Sequence, residues 1–185
     1  MLKPKPIGLF IDVSEFSILV VRTSGYKLPI VVEKVAELQI TDDCCAEDVR
    51  AFFKQIVDFK GASYFVSRCG VYPKGRFLRY YEAESSNKVK DPSFLSEVLQ
   101  SEFNIDPSVN SVSILDARNG SDFDFARGLT KQLVFCGGPS AAFQEVQDQL
   151  LSYGIYPERL ELSTATTLGG VCDYARFNCM NAPIL

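Results

Sequence analysis

The 185-residue sequence predicts an α/β protein on three observations: apolar, β-branched runs of strand length, amphipathic stretches with three- and four-residue apolar spacing, and turn residues at nearly every junction. With 46% apolar residues the chain is long and apolar enough to bury a core. Neither an internal repeat nor a low-complexity tract is visible, so a solenoid is not expected.

Residues 7–13 form a near-continuous apolar run that reaches Asp12, the pattern of a central strand covered on both faces. The stretch 16–22 is β-branched and apolar, Ser24-Gly25 makes a turn, and 30–40 ends in alternation, with Ala36, Leu38 and Ile40 opposed to Glu37 and Gln39. An antiparallel three-strand meander is predicted. Asp42 and Asp43 are candidate caps for a helix carrying Val49, Phe52, Phe53, Ile56 and Val57 on one face and closed by Gly61. A fourth strand follows over 62–71, ended by Tyr72-Pro73-Lys74-Gly75.

Next come a strand over 76–81, a polar loop over 84–90, and a helix opened by Asp91 as N-cap with Pro92 in its first turn. That helix carries Phe94, Leu95, Val98, Leu99 and Phe103 on one side. Strands are predicted at 109–115 and 133–136, separated by a turn at Asn119-Gly120-Ser121-Asp122, the second strand being stopped by Gly137-Gly138-Pro139. Ser140 is positioned to cap a helix that presents Phe143, Val146, Leu150 and Tyr153 and stops at Gly154. A short strand over 155–162 and a helix over 164–177 complete the chain. Its last residues, Ala182-Pro183-Ile184-Leu185, read as the opening of a further strand, so a fragment is expected.

Composition narrows the function classes. A net charge of −4 argues against nucleic-acid binding, which needs clustered cations, and 74–79 holds only three. Six cysteines, at 44, 45, 69, 136, 172 and 179, make no CxxC pair, and no histidine exists to complete a zinc site or to serve as general base. Free thiols in a reducing compartment are therefore expected, and Asp42 and Asp43 should raise rather than lower the pKa of Cys44 and Cys45. No apolar run approaches the roughly 18 residues that span a membrane, and 1–6 lacks the core of a signal peptide, so a cytoplasmic protein without direct membrane insertion is expected.

The opening Ile7-Gly8-Leu9-Phe10-Ile11-Asp12-Val13-Ser14-Glu15-Phe16-Ser17-Ile18, followed by two more strands, a helix and a strand, resembles the start of the actin, Hsp70 and sugar kinase superfamily. Within it the chain looks most like PilM of type IV pili and its type II secretion relative GspL. The segments Leu133-Val134-Phe135-Cys136, Leu150-Leu151-Ser152-Tyr153-Gly154-Ile155-Tyr156-Pro157 and Leu160-Glu161-Leu162-Ser163 follow that family's pattern of a helix ending L-x-x-x-G-I/L-x-P before a short strand. The resemblance implies the first half of an actin-like ATPase (ribonuclease H-like) fold. Its expected divisions are a ribonuclease H-like subdomain over 1–75, an inserted α/β subdomain over 76–167, and a helix over 168–185 returning to the first.

It also implies a phosphate loop after the first strand, built on Asp12, Ser14 and Ser17. Asp12 is retained. Ser14 stands where the family has glycine, Glu15 and Phe16 follow, and Leu19 occupies the position of the expected lysine. A carboxylate 4 Å from a phosphate charge costs about 4 kcal/mol at an effective dielectric near 20, so an inward Glu15 would remove several decades of affinity, and an outward one little. The expectation is a vestigial loop in a non-catalytic scaffold without a cofactor. Such a scaffold grips the cytoplasmic tail of a PilN-like single-pass membrane protein, by strand addition or apolar pockets, and contacts the motor ATPase; the family's groove for the tail lies between the two subdomains. The alternatives are the nucleotide-binding half of an ATP- and Mg-dependent switch or kinase, with Asp12 on the magnesium side, and an isolated regulatory domain. Elsewhere, Gly137-Gly138-Pro139-Ser140 is expected to be a strand-to-helix turn rather than an anion cradle, and Tyr80, Tyr81, Phe123 and Phe125 are expected to pack as strand side chains.

Overall fold

A computed structural model describes residues 7–27, 29–57, 65–126, 130–167, 169 and 171. The chain divides into two compact units, the first made of Met1–Tyr72 and Gln144–Ser163, the second of Pro73–Phe143 and Thr164–Leu185.

In the first unit the meander forms as predicted. Strands β1 (Gly8–Val13), β2 (Ser17–Thr23) and β3 (Val32–Gln39) pair antiparallel, with Asp12 opposite Leu19 and Ser17 opposite Gln39. Helix α1 (Ala46–Ile56) leads to β4 (Phe65–Val71), which pairs parallel to β1 and brings Asp12 beside Gly70. β8 (Ile155–Leu162) then adds parallel to β4, giving the order β3-β2-β1-β4-β8. Alternate residues of the inner strands, Leu9, Ile11, Ile18, Val20 and Cys69, meet Val49, Phe52, Phe53 and Ile56 of α1 and Leu150 of helix α3 (Ser140–Ser152) in one apolar core. Burying a side chain of this size contributes about 1.5–3 kcal/mol, so the core rests on Phe53, Leu9 and Ile155, all at most 1% exposed.

Local chemistry refines the ends of α1. Asp42 and Asp43 lie in the preceding turn, where the Cys44 amide bonds to Thr41, and the N-cap is Cys45. The Asp48 carboxylate reaches back to accept from both the Cys45 amide (3.0 Å) and its thiol (3.1 Å). At the other end, Lys34 Nζ donates to the Gln55 carbonyl (2.6 Å) and Arg22 Nη1 to that of Ile56 (2.9 Å), cations placed where the helix leaves its carbonyls open. The helix closes at Val57; the expected stop, Gly61, lies outside the described residues.

The second unit holds an antiparallel sheet in the order β5-β7-β6, from β5 (Phe77–Glu82), β6 (Asn110–Asp116) and β7 (Gln132–Pro139). Helix α2 (Pro92–Ser101) opens as predicted, Asp91 accepting from the Ser93 amide at 2.9 Å. Its Leu95, Val98 and Leu99 pack with Phe123, Leu133 and Phe135, and Tyr81 joins that core edge-on to Phe103 and Phe135. Tyr81 thus packs from a strand as expected, Phe123 enters the core from the segment between β6 and β7 rather than from a strand, and Tyr80 is 54% and Phe125 42% exposed.

Two expectations are corrected. Gly137 and Gly138 do not stop β7 but lie inside it, because β6 approaches so closely that a Cβ at Gly137 would run into the Ser111 carbonyl. β8 and the part of α3 from Gln144 belong to the first unit, not to an insertion over 76–167. The reason is that β4 offers a bare parallel edge, and the local pattern of a strand does not encode which sheet it joins. The last helix opens at 163, and its described residues from Thr164 on group with the second unit; the returning helix expected over 168–185 lies, apart from 169 and 171, outside the described residues, as do the chain's last residues.

Candidate functional site

The loop between β1 and β2 is a tight reversal organised by one hydroxyl. Ser14 Oγ accepts from the Ser17 amide (2.9 Å) and from the Phe16 amide (3.2 Å), and lies within donating distance of the Ser17 carbonyl (3.1 Å) and Ser17 Oγ (3.4 Å). The Ser14 amide bonds the Ser17 carbonyl at 3.0 Å, and the Ile40 amide bonds that of Phe16 at 2.7 Å. This is a serine turn, in which a side chain takes the place of an external acceptor for the loop amides. Phe16 stands 72% exposed at its tip, and Glu15 is exposed as well, so Glu15 is not the inward carboxylate that would repel a phosphate.

Asp12 does not join Ser14 and Ser17. Its Oδ2 accepts from Tyr72 Oη at 3.0 Å, and its Oδ1 accepts from Ser163 Oγ, which is 2% exposed. Gly70, the parallel neighbour of Asp12, supplies the space for this arrangement: a Cβ there would lie 2.6 Å from Asp12 Oδ1 and would collide with Ser163 Oγ. Of the three residues expected to form one loop site, Ser14 and Ser17 are together, while Asp12 faces two partners that sequence reading missed. Tyr72 directly follows β4 and Ser163 directly follows β8. The signal available for them was the parallel pairing itself, which gathers strand C-termini at one edge.

On the opposite end of β1, Tyr26 closes the gap where the β1–β4 ladder has not yet begun. Its hydroxyl accepts from the Leu9 amide (3.0 Å) and is placed to donate to the Val66 carbonyl (2.9 Å). Its ring packs edge-on to Phe10 and beneath the Arg68 guanidinium, 4.8 Å from the centroid. Burial pushes the Tyr26 phenol above its ordinary pKa.

Other candidates are structural. The Ser140 amide is taken by the Val109 carbonyl (3.0 Å) and its hydroxyl by Ser111 Oγ (2.9 Å), so the start of α3 does not present these groups to an anion. Burial pushes the Cys69 thiol up to about 11, and the hydrogen bond to the Asp48 carboxylate raises that of Cys45. The expected source of that rise was Asp42 and Asp43; the carboxylate in contact is Asp48. Among the described residues no group of three or more His, Cys, Asp or Glu side chains is arranged to hold a metal, and no helix is long and apolar enough to cross a membrane.

A mixed five-stranded sheet in the order β3-β2-β1-β4-β8, with a second α/β unit beginning after β4, has counterparts among solved structures. The chain superimposes on the cytoplasmic domain of EpsL, an inner membrane component of the type II secretion system of Vibrio cholerae, with a TM-score of 0.55 at 11% identity, covering 84% of this chain and 57% of that one. It has an actin-like ATPase fold. A Bacteroides thetaiotaomicron protein described as having that fold and unknown function matches at a TM-score of 0.50 and 12% identity, over 93% of this chain and 58% of its own. A PilM–PilN type IV pilus biogenesis complex matches at 0.54 and 12%, over 88% and 48%. The chain thus spans about half the length of these structures. No protein-family model and no curated protein matches the sequence. The resemblance in sequence puts the expected phosphate loop at the β1–β2 reversal, which makes the arrangement of Asp12, Ser14 and Ser17 the feature to interpret.

Proposed function

We propose that this chain is a non-catalytic adaptor of a type IV pilus or type II secretion assembly platform, a pseudo-ATPase scaffold held at the cytoplasmic side of the inner membrane by a partner's tail. The observation that carries the reading is the closure of the β1–β2 loop by Ser14. A phosphate seated there would have to displace Ser14 Oγ from the Phe16 and Ser17 amides, and a hydrated magnesium ion would compete with Tyr72 and Ser163 for Asp12. As arranged, these residues do not fit a nucleotide's phosphates and metal. Likeness of fold to the EpsL cytoplasmic domain and to PilM–PilN supports the assembly-platform role and a PilN-like partner.

The partner's tail is taken as an extended segment. Strand addition suits β3, an edge strand that exposes Val32 and Val35 at 58% each. Contact with the motor ATPase belongs to the same reading and rests on the resemblance alone.

Calorimetric titration tests it, with synthetic peptides of the host's PilN-like cytoplasmic tails in one arm and ATP with Mg²⁺ in the other. Micromolar binding of a tail and no heat with nucleotide is expected. Micromolar ATP binding by the unmodified chain would favour the switch or kinase reading, for which the retained position of Asp12 speaks. In that case Ser14→Gly should tighten nucleotide binding further.

A further inference from the structure

The two hydroxyls on Asp12 come from special positions. Tyr72 is the last residue of the first unit before the chain passes to Pro73, and Ser163 is the last before it passes to Thr164. They lie 60 and 151 residues from Asp12 in sequence, yet both reach one carboxylate at the end of β1. We infer that Asp12 is a clamp: a single side chain that fixes two of the points at which the chain leaves the first unit.

The physical case rests on three features. A carboxylate is an acceptor with two oxygens, and here each oxygen takes a different hydroxyl, so the same charge holds both exits. Ser163 is buried, so its hydroxyl meets the carboxylate away from water, where such a bond is stronger. Gly70 lets the carboxylate and Ser163 Oγ occupy the volume that any larger residue would fill. Each feature concerns residues of the first unit alone. Whatever competes for the Asp12 oxygens releases both exits together, which makes the clamp a means of coupling the β1–β2 end of the sheet to both connections.

Amide hydrogen exchange on the full 185-residue chain tests this, comparing Asp12→Ala, Tyr72→Phe and Ser163→Ala with the unmodified protein. Asp12→Ala is expected to speed exchange about tenfold or more in both 70–73 and 163–167, while 17–23 and 32–39 keep their protection. The single hydroxyl deletions leave the carboxylate in place and serve if Asp12→Ala does not fold: each should speed exchange most at its own exit and measurably at the other. A change confined to one exit in all variants, no change at either, or an equal rise throughout the first unit would overturn the clamp.

Discussion

Replacing Gly70 with alanine adds one methyl group at the most crowded point of the site. Its Cβ would lie 2.6 Å from Asp12 Oδ1, well inside the 3.4 Å at which ordinary contact begins, and would overlap Ser163 Oγ more severely still. The carboxylate must therefore move by about 0.8 Å, or Ser163 must swing away, and either motion breaks the bond between them. Losing a hydrogen bond to a charged group costs about 1.5–3 kcal/mol, and overpacking adds about 1–3 kcal/mol. The lower unfolded-state entropy of alanine returns about 0.4–1 kcal/mol. The net expectation is a loss of about 2–5 kcal/mol. Urea unfolding followed by far-ultraviolet circular dichroism reads it, since the chain has no tryptophan to report by fluorescence. Adding Ser163→Ala to Gly70→Ala should recover part of the loss, because it removes the atom that the new methyl strikes. Gly120→Ala is the control: its φ of +71° strains an alanine, but nothing lies within 4 Å of the added atom, so about 1 kcal/mol is expected. A Gly70→Ala protein as stable as the unmodified one would refute the geometry argued for Asp12.

Asp48→Ala should make Cys45 react faster with iodoacetamide near neutral pH, because the carboxylate that accepts a hydrogen bond from the protonated thiol holds the thiol pKa up; peptide mapping should find Cys69, buried and pushed up to about 11, still unmodified. Asp116 takes a forked hydrogen bond from Arg118, with contacts of 2.6 and 3.0 Å, and this holds its carboxyl below the ordinary value of 3.8. Its contribution to stability is complete above that value and is lost as pH falls through the lowered one, so Asp116→Asn should flatten the acid limb of a pH–stability curve; an unchanged limb would count against the pair.

Much of the architecture was legible because it is local. The meander of β1 to β3, α1 and its apolar face, the Asp91-Pro92 start of α2, and β8 after Gly154 follow from periodicity and turn chemistry that neighbouring residues carry on their own. Local signals were less reliable where two solutions competed. Asp42 and Asp43 look like caps as Asp48 does not, yet a capping carboxylate can act from inside the helix as readily as from before it. Paired glycines read as a strand stop until a neighbouring strand comes close enough to require one of them, Gly137.

By itself the sequence determined the α/β class and the absence of histidine chemistry, since these depend only on which residues are present and in what order. Only the tertiary structure decided how the β1–β2 loop is closed. Whether Ser14 would turn its hydroxyl onto its own amides, whether Glu15 would face solvent, and which groups would meet Asp12 depend on residues up to 151 positions apart. It also decided that β8 completes the first sheet. Parallel pairing joins strands distant in sequence, and hydrogen bonding between backbones leaves no trace in side-chain pattern to say which edge a strand will choose.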